Sequence, residues 1–345
     1  MFTDRLPFYP LAHRPTPLED LPRLRAALQG EAPPGRVPRL LIKRDDQTGL
    51  AAGGNKTRKL ELLLGDALRQ SADTLITVGA PQSNHCRQTA AAAARAGLRC
   101  VLVLGGSAPM LEGGNLLLDR LLGAEIVWAG GRDRLEVMAE VAEAERAAGR
   151  APYLIPYGGS NAVGAAGYAA AMEELCQQLA DRGWTAEHVV VATSSGGTQA
   201  GLAVGALAQG FSGRLHGISI DAAADRLRPW LAELAGETAR LLGLDLAFAA
   251  DDFIVHDAYL GGGYGVVGDA EREAIVLLAR SEGILVDPVY TARALAGLLD
   301  LIRRGHFRAD ETVVFWHTGG LPALFAYAEQ LGEPRPAGRS RSSRV

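Results

Sequence analysis

Lysine is scarce in this chain. Of 35 Lys and Arg residues only Lys43, Lys56 and Lys59 are lysine, and two of these sit in Gly53-Gly54-Asn55-Lys56-Thr57-Arg58-Lys59-Leu60-Glu61. Arginine is in effect never deprotonated, whereas a desolvated lysine can lose its proton and act as an amine nucleophile or Schiff-base former. A lysine kept beside two glycines and an asparagine, in a chain that otherwise writes arginine, is a candidate for amine chemistry. A solvated cation at a helix start is the plainer alternative.

Three further segments place Gly, Ser, Thr or Asn immediately before a helical pattern: Gln82-Ser83-Asn84-His85, Thr193-Ser194-Ser195-Gly196-Gly197-Thr198 and Trp316-His317-Thr318-Gly319-Gly320. In the middle one, small residues admit close backbone approach, hydroxyls can donate, and a positive helix end faces an incoming anion. These are the makings of a phosphate cup, although ordinary helix caps use the same residues. The loop lacks both Gly-x-x-x-x-Gly-Lys-Ser/Thr and Gly-x-Gly-x-x-Gly, which argues against a nucleoside triphosphate or a dinucleotide. The seven histidines show no chelating i,i+3 or i,i+4 spacing, and no structural metal is expected. A special amine plus a phosphate cup, without metal or dinucleotide signals, suggests pyridoxal 5′-phosphate (PLP). That cofactor needs a Schiff-base lysine, a phosphate site and a partner for its ring nitrogen.

Strands must carry these segments and helices must follow them. Apolar runs predict strands over 39–43, 74–78, 99–104, 125–128, 152–155, 188–192, 215–220 and 312–316, with a short extended piece at 284–286. Helical spacing predicts helices over 57–70, 84–96, 116–122, 134–148, 163–179, 199–209, 226–242, 270–282, 290–304 and 322–331. Residues 1–37 read as Pro-rich loop and 334–345 as a disordered tail. The alternation implies βαβ units and an α/β fold with mostly parallel sheets, whose ligands bind at the carboxyl ends of strands.

At 345 residues the chain can hold two domains, and its net charge of −4 points to neither nucleic acid nor an anionic membrane as a partner. Three scattered cysteines fit a reducing compartment, and residues 1–21 hold no apolar signal segment, so a cytoplasmic location is expected.

Five motifs occur in order: Gly-Gly-Asn-Lys-Thr-Arg-Lys-Leu-Glu, Gln-Ser-Asn-His-Cys-Arg-Gln, Gly-Gly-Ser-Asn-Ala-Val-Gly-Ala-Ala-Gly-Tyr, Asp-Pro-Val-Tyr-Thr and His-Thr-Gly-Gly. Together they resemble the D-cysteine desulfhydrase / 1-aminocyclopropane-1-carboxylate (ACC) deaminase family of fold-type II PLP enzymes, from about residue 15 to 327. The resemblance implies two open-twisted, mostly parallel α/β domains, 1–57 plus 169–333 and an inserted 58–168, with the active site in the cleft between them. It also implies a homodimer acting on a small amino acid.

Carried over by position, the resemblance makes Lys56 the cofactor lysine, with Asn55 beside it. Lys59 and the backbone of Ser195, Gly196, Gly197 and Thr198 would hold the phosphate, and Asn84 the ring hydroxyl. Ser83, Asn84 and His85 would receive the substrate carboxylate, mostly through backbone N–H groups, and Ser83 could assist proton transfer. Tyr290 would stack on the ring, Tyr264 would face the substrate side chain, and Thr318 would lie near the ring nitrogen. ACC deaminases are expected to carry Glu after the Asp-Pro-Val-Tyr tyrosine and Leu in His-x-Gly-Gly; this chain has Thr291 and Thr318, as the desulfhydrase branch does. The implied reaction is α,β-elimination of D-cysteine to pyruvate, ammonia and hydrogen sulfide. ACC deamination and elimination from a related substrate such as L-cysteate are the alternatives. A non-catalytic binder of PLP or amino acids would not need Lys56, Ser83 and Tyr290 together, and a nicotinamide enzyme is disfavoured by the missing dinucleotide fingerprint.

Overall fold

The computed structural model describes residues 3–110 and 112–332. The chain begins with β1 (Leu18–Asp20), α1 (Pro22–Leu28), β2 (Arg39–Arg44) and α2 (Lys56–Arg69). It continues through β3 (Thr74–Gly79), α3 (Asn84–Ala96), β4 (Arg99–Leu104), α4 (Gly114–Leu121), β5 (Glu125–Trp128), α5 (Arg134–Ala147), β6 (Pro152–Ile155) and α6 (Ala162–Asp181). The remainder is β7 (His188–Thr193), α7 (Gly197–Ala208), β8 (Arg214–Ser219), α8 (Ala224–Leu241), β9 (Ile254–His256), α9 (Asp269–Glu282), α10 (Thr291–Arg303), β10 (Thr312–His317), α11 (Leu321–Ala326) and α12 (Ala328–Leu331).

Two sheets result. One has six strands in the order β1-β2-β10-β7-β8-β9, parallel except for β1, and the other has four parallel strands in the order β5-β4-β3-β6. Every residue of β3, β7 and β10 is buried. Continuous apolar strands of this kind need helices on both faces, because neither face can be left to water. Leu24, Leu295 and Phe315 pack on one side of the larger sheet, and Met172, Leu202 and Trp316 on the other. Helices α6 and α7 cross closely: a Cβ on Gly201 would stand 2.1 Å from the Ala165 carbonyl oxygen.

Local pattern missed what is short or held by long-range pairing. Residues 1–37, read as loop, contain β1 and α1; β1 is three residues long and exists through antiparallel pairing with β2. The three-residue β9 was likewise unseen. The helix expected over 322–331 is two pieces, broken at Tyr327 (φ −108°, ψ 15°). Residues 284–286 join neither sheet. The tail 334–345 lies outside the described residues.

A buried ionic network ties these parts together. Asp45, fully buried after β2, accepts hydrogen bonds from Arg58 Nη2 (2.9 Å), Tyr168 Oη (2.6 Å), Trp316 Nε1 (2.8 Å) and Thr16 Oγ1 (2.8 Å). Burial alone would raise its pKa, but Arg58 and Lys43 more than offset this and hold it at about 2. Lys43 Nζ donates to Glu174 Oε1 (2.5 Å), Gln178 Oε1 (2.6 Å) and Thr16 O (2.8 Å). The network clamps the start of α2 against β2, β10 and α6.

Among the described residues, no helix is long and apolar enough to cross a membrane, and no group of three or more His, Cys, Asp or Glu is placed to hold a metal ion.

Candidate active site

Helix α2 begins at Lys56, and the residue before it is stitched to two other loops. Asn55 N–H donates to Thr318 O at 2.9 Å, and Asn55 Nδ2 donates to Thr198 Oγ1 at 3.0 Å. Thr57 Oγ1 donates to Gln88 Oε1 of α3 at 2.8 Å. Lys56 thereby lies on the wall of a cavity at the carboxyl ends of β3, β7 and β10. Ser83, Asn84, His85 and Tyr157 line one side; Ser195, Gly196 and Thr198 line another; Asn55, Tyr290 and Thr318 complete it. Burial lowers the Lys56 pKa from 10.5 to about 8, against a hydrogen bond with Lys59 that raises it.

Lys59, Gly197 and Tyr264 stand behind this wall. Lys59 Nζ donates to Gly158 O and Ser160 Oγ, each at 3.1 Å. Ser160 Oγ also accepts from Gly197 N–H (3.1 Å) and lies 2.8 Å from Ser195 Oγ. A Cβ on Gly197 would stand 2.7 Å from Ser160 Oγ and 2.8 Å from Lys59 Nζ, so no side chain fits there. Burial and then the neighbouring Lys56 push the Lys59 pKa well below its ordinary value. Two amines crowded at a helix start form a site whose charge an anion would relieve.

Ser83 caps α3 by accepting Cys86 N–H at 3.2 Å, which leaves its own hydroxyl proton to donate elsewhere. Asn84 Oδ1 accepts from Asn115 Nδ2 (2.9 Å) and Arg87 Nη1 (3.3 Å), which turns its NH₂ group away from them as a donor. Arg87 Nη2 donates to Gly53 O at 2.7 Å, joining this turn to the lysine loop. Tyr290 heads α10, its hydroxyl 2.8 Å from that of Tyr264 and the two rings edge to face at 5.9 Å. Burial and then Tyr264 hold the Tyr290 pKa well above the ordinary phenol value. Thr318 lines the cavity. Thr291 does not: its hydroxyl donates to Asp287 Oδ1 at 2.6 Å.

Reading residue by residue assigns no role to Tyr157, Ser160, Asn115 or Asp287. Tyr157 and Ser160 flank the Gly-Gly pair of one motif, and Asp287 opens another, so a signal existed for these three. Asn115 orients Asn84 from 31 residues away and carries no local signal.

A desolvated amine, a cup with no room for a side chain, an oriented amide donor and an aromatic ring fit PLP by the chemistry of their groups. The fold and this donor set define a PLP-dependent enzyme of fold type II. Residues 9–319 match the family model described as pyridoxal-phosphate dependent enzyme, and the chain belongs to that family, within its D-cysteine desulfhydrase / ACC deaminase group. It is 46% identical over 333 residues to a D-cysteine desulfhydrase of Yersinia enterocolitica, covering 95% of this chain and 98% of the relative. It is 42% identical over 339 residues to an ACC deaminase of Burkholderia vietnamiensis, with the same coverage. The crystal structure of an ACC deaminase homologue superposes with a TM-score of 0.85 at 37% identity, covering 96% of this chain and 97% of that one. The chain is a PLP-dependent lyase by family.

Proposed function

We propose that the chain converts D-cysteine and water to pyruvate, ammonia and hydrogen sulfide. The observation that carries this reading is the wall at Thr318. The hydroxyl there is neutral where a ring-opening enzyme is expected to carry Leu, and Thr291, where such an enzyme is expected to carry Glu, is committed to Asp287. A carboxylate that keeps a pyridine nitrogen protonated makes the strong electron sink that opening a cyclopropane requires, whereas a good leaving group such as hydrosulfide needs less. When bound, PLP supplies the sink that acidifies the α-hydrogen.

The chain's own residues supply the rest. Lys56 Nζ removes the α-hydrogen, or the Ser83 hydroxyl relays it there. The backbone N–H groups at the start of α3 hold the carboxylate. Lys59, with the backbone of 195–198, holds the phosphate, and Asn84 Nδ2 the ring hydroxyl. The Tyr264–Tyr290 hydroxyl pair donates to the departing sulfur. The same reading takes the enzyme as a cytoplasmic homodimer with domains 1–57 plus 169–333 and 58–168. Supporting that division, β3 to β6 follow one another in the chain between β2 and β7, although its boundaries fall within α2 and α6.

ACC deamination is the second reading, supported by the names of the Burkholderia relative and the crystal homologue. One panel separates them: D-cysteine, L-cysteine, ACC, β-chloro-D-alanine and L-cysteate, measuring keto acid and sulfide. Sulfide and pyruvate from D-cysteine, with kcat/KM at least tenfold above that for any other natural substrate, is the expected result. 2-Oxobutyrate from ACC at equal or greater efficiency overturns it.

A further inference from the structure

His85 lies in the first turn of α3, 3% exposed, on the cavity wall. Its Nε2 is 2.9 Å from Thr77 Oγ1, and Thr77 Oγ1 is 2.8 Å from the carbonyl oxygen of Ile155. A carbonyl oxygen can only accept, so the single hydroxyl proton of Thr77 goes to Ile155 O, and the hydroxyl offers His85 a lone pair. The imidazole must then carry its proton on Nε2. Nδ1 is left bare, and this buried atom meets no partner among the described residues. Burial, then Lys56 and Lys59, push the His85 pKa well below its ordinary value, so the ring stays neutral.

A bare nitrogen cannot donate to a carboxylate, and an unpaired buried acceptor is costly. The donor it lacks is an N–H, and amines are what this cavity concentrates. We propose that Thr77 is a positioning residue that fixes His85 as the Nε2–H tautomer. The imidazole then meets the cavity as an acceptor for a protonated amine, while the substrate carboxylate is left to the backbone N–H groups of the same turn. The amine has two possible sources, the Lys56 side chain and the α-amino group of the ligand. The proposal rests on the reading of the cavity as an amino-acid site.

The test is ¹⁵N spectroscopy of imidazole-labelled, full-length protein loaded with PLP, with the His85 signals identified by their loss in His85→Gln. Nε2 in the protonated range and Nδ1 in the unprotonated range are expected; the opposite tautomer, or fast averaging of the two, overturns the proposal. In PLP-free protein Nδ1 should shift on Lys56→Ala if Lys56 is the donor; in loaded protein it should shift on adding D-alanine, which has no leaving group, if the ligand is. No shift in either arm overturns amine recognition. Thr77→Val should scramble the tautomer and Thr77→Ser restore it, whereas a merely structural Thr77 would change the melting temperature and leave the nitrogen shifts alone. None of these readouts requires turnover, so a negative substrate panel leaves them standing.

Discussion

Lys43 is buried and Lys56 half-buried, and their surroundings prepare them for different work. Lys43 Nζ has three oxygen acceptors within 2.8 Å, matching the three protons of an ammonium, which a planar guanidinium would not fit. Lys56 faces open space, and burial lowers its pKa to about 8. That raises its neutral fraction at pH 7 from roughly one in three thousand to roughly one in ten. The rate at which PLP-free protein gains the visible absorption of bound cofactor should therefore climb about tenfold per unit below pH 8 and level off above it. A rise continuing toward pH 10.5 would show an ordinary lysine. Lys56→Ala should lose both the absorption and turnover, and survival of either would remove this residue from the chemistry.

Helix α10 shows how an element is aimed by its cap. Asp287 accepts backbone N–H groups of Val289 (3.1 Å), Tyr290 (3.0 Å) and Thr291 (2.8 Å), besides the Thr291 hydroxyl. All these groups are buried or nearly so, and Tyr290 is the cavity-lining member. Asp287→Ala strands several donors at once and should cost about 2–4 kcal/mol of stability. Its kcat/KM should also fall, because the Tyr264–Tyr290 pair loses its anchor. Measuring urea unfolding and kinetics together checks this; full activity in a destabilised variant would separate the cap from the site. Asp-Pro-Val-Tyr-Thr is visible in the sequence as a motif, but which of its polar groups meets the cavity and which serves the helix is a matter of rotation about α10. Thr291 reads as a site residue by position, whereas by geometry its hydroxyl serves Asp287 at the start of the helix.

Across the whole molecule, chemistry occupies the carboxyl ends of the strands, and a second polar feature lies within the larger sheet. His188, His216 and His256, on the adjacent strands β7, β8 and β9, form a chain: His188 Nδ1 is 3.0 Å from His216 Nε2, and His216 Nδ1 is 3.0 Å from His256 Nε2. Glu311 lies 3.4 Å from His188 Nε2 at one end; His306 packs against His216 and His256, and Arg214, Arg228 and Asp257 add their fields. Each link needs one ring nitrogen to donate and its neighbour to accept, so two linked rings cannot both be charged. Burial lowers all three pKa values, against Glu311 at His188 and with the neighbouring rings adding to it at His216, which falls to about 3. Folded-state values below the unfolded 6.5 mean that the native chain binds fewer protons. This stability is complete above pH 6.5 and drains away as pH falls toward 3. The melting temperature should drop between pH 7 and pH 5, and His216→Phe should flatten that slope. A slope unchanged in the variant would assign the acid sensitivity to other groups, His85 among them.

Read alone, the amino-acid order determined the α/β alternation, the four loops that could carry chemistry and the amine at Lys56. These follow from period, turn residues and composition, which are local. It also held the five ordered motifs, and with them the family. Tertiary structure decided what lies many residues apart: the pairing that makes β1 and β9 strands at all, Asn115 turning Asn84, Ser160 filling the space between Lys59 and Gly197, and Lys43 sealed by Glu174. It decided as well that Thr318 meets the cavity and Thr291 does not. Each of these depends on which face of an element turns inward, and that is fixed by packing between segments rather than by any stretch of neighbours in the chain.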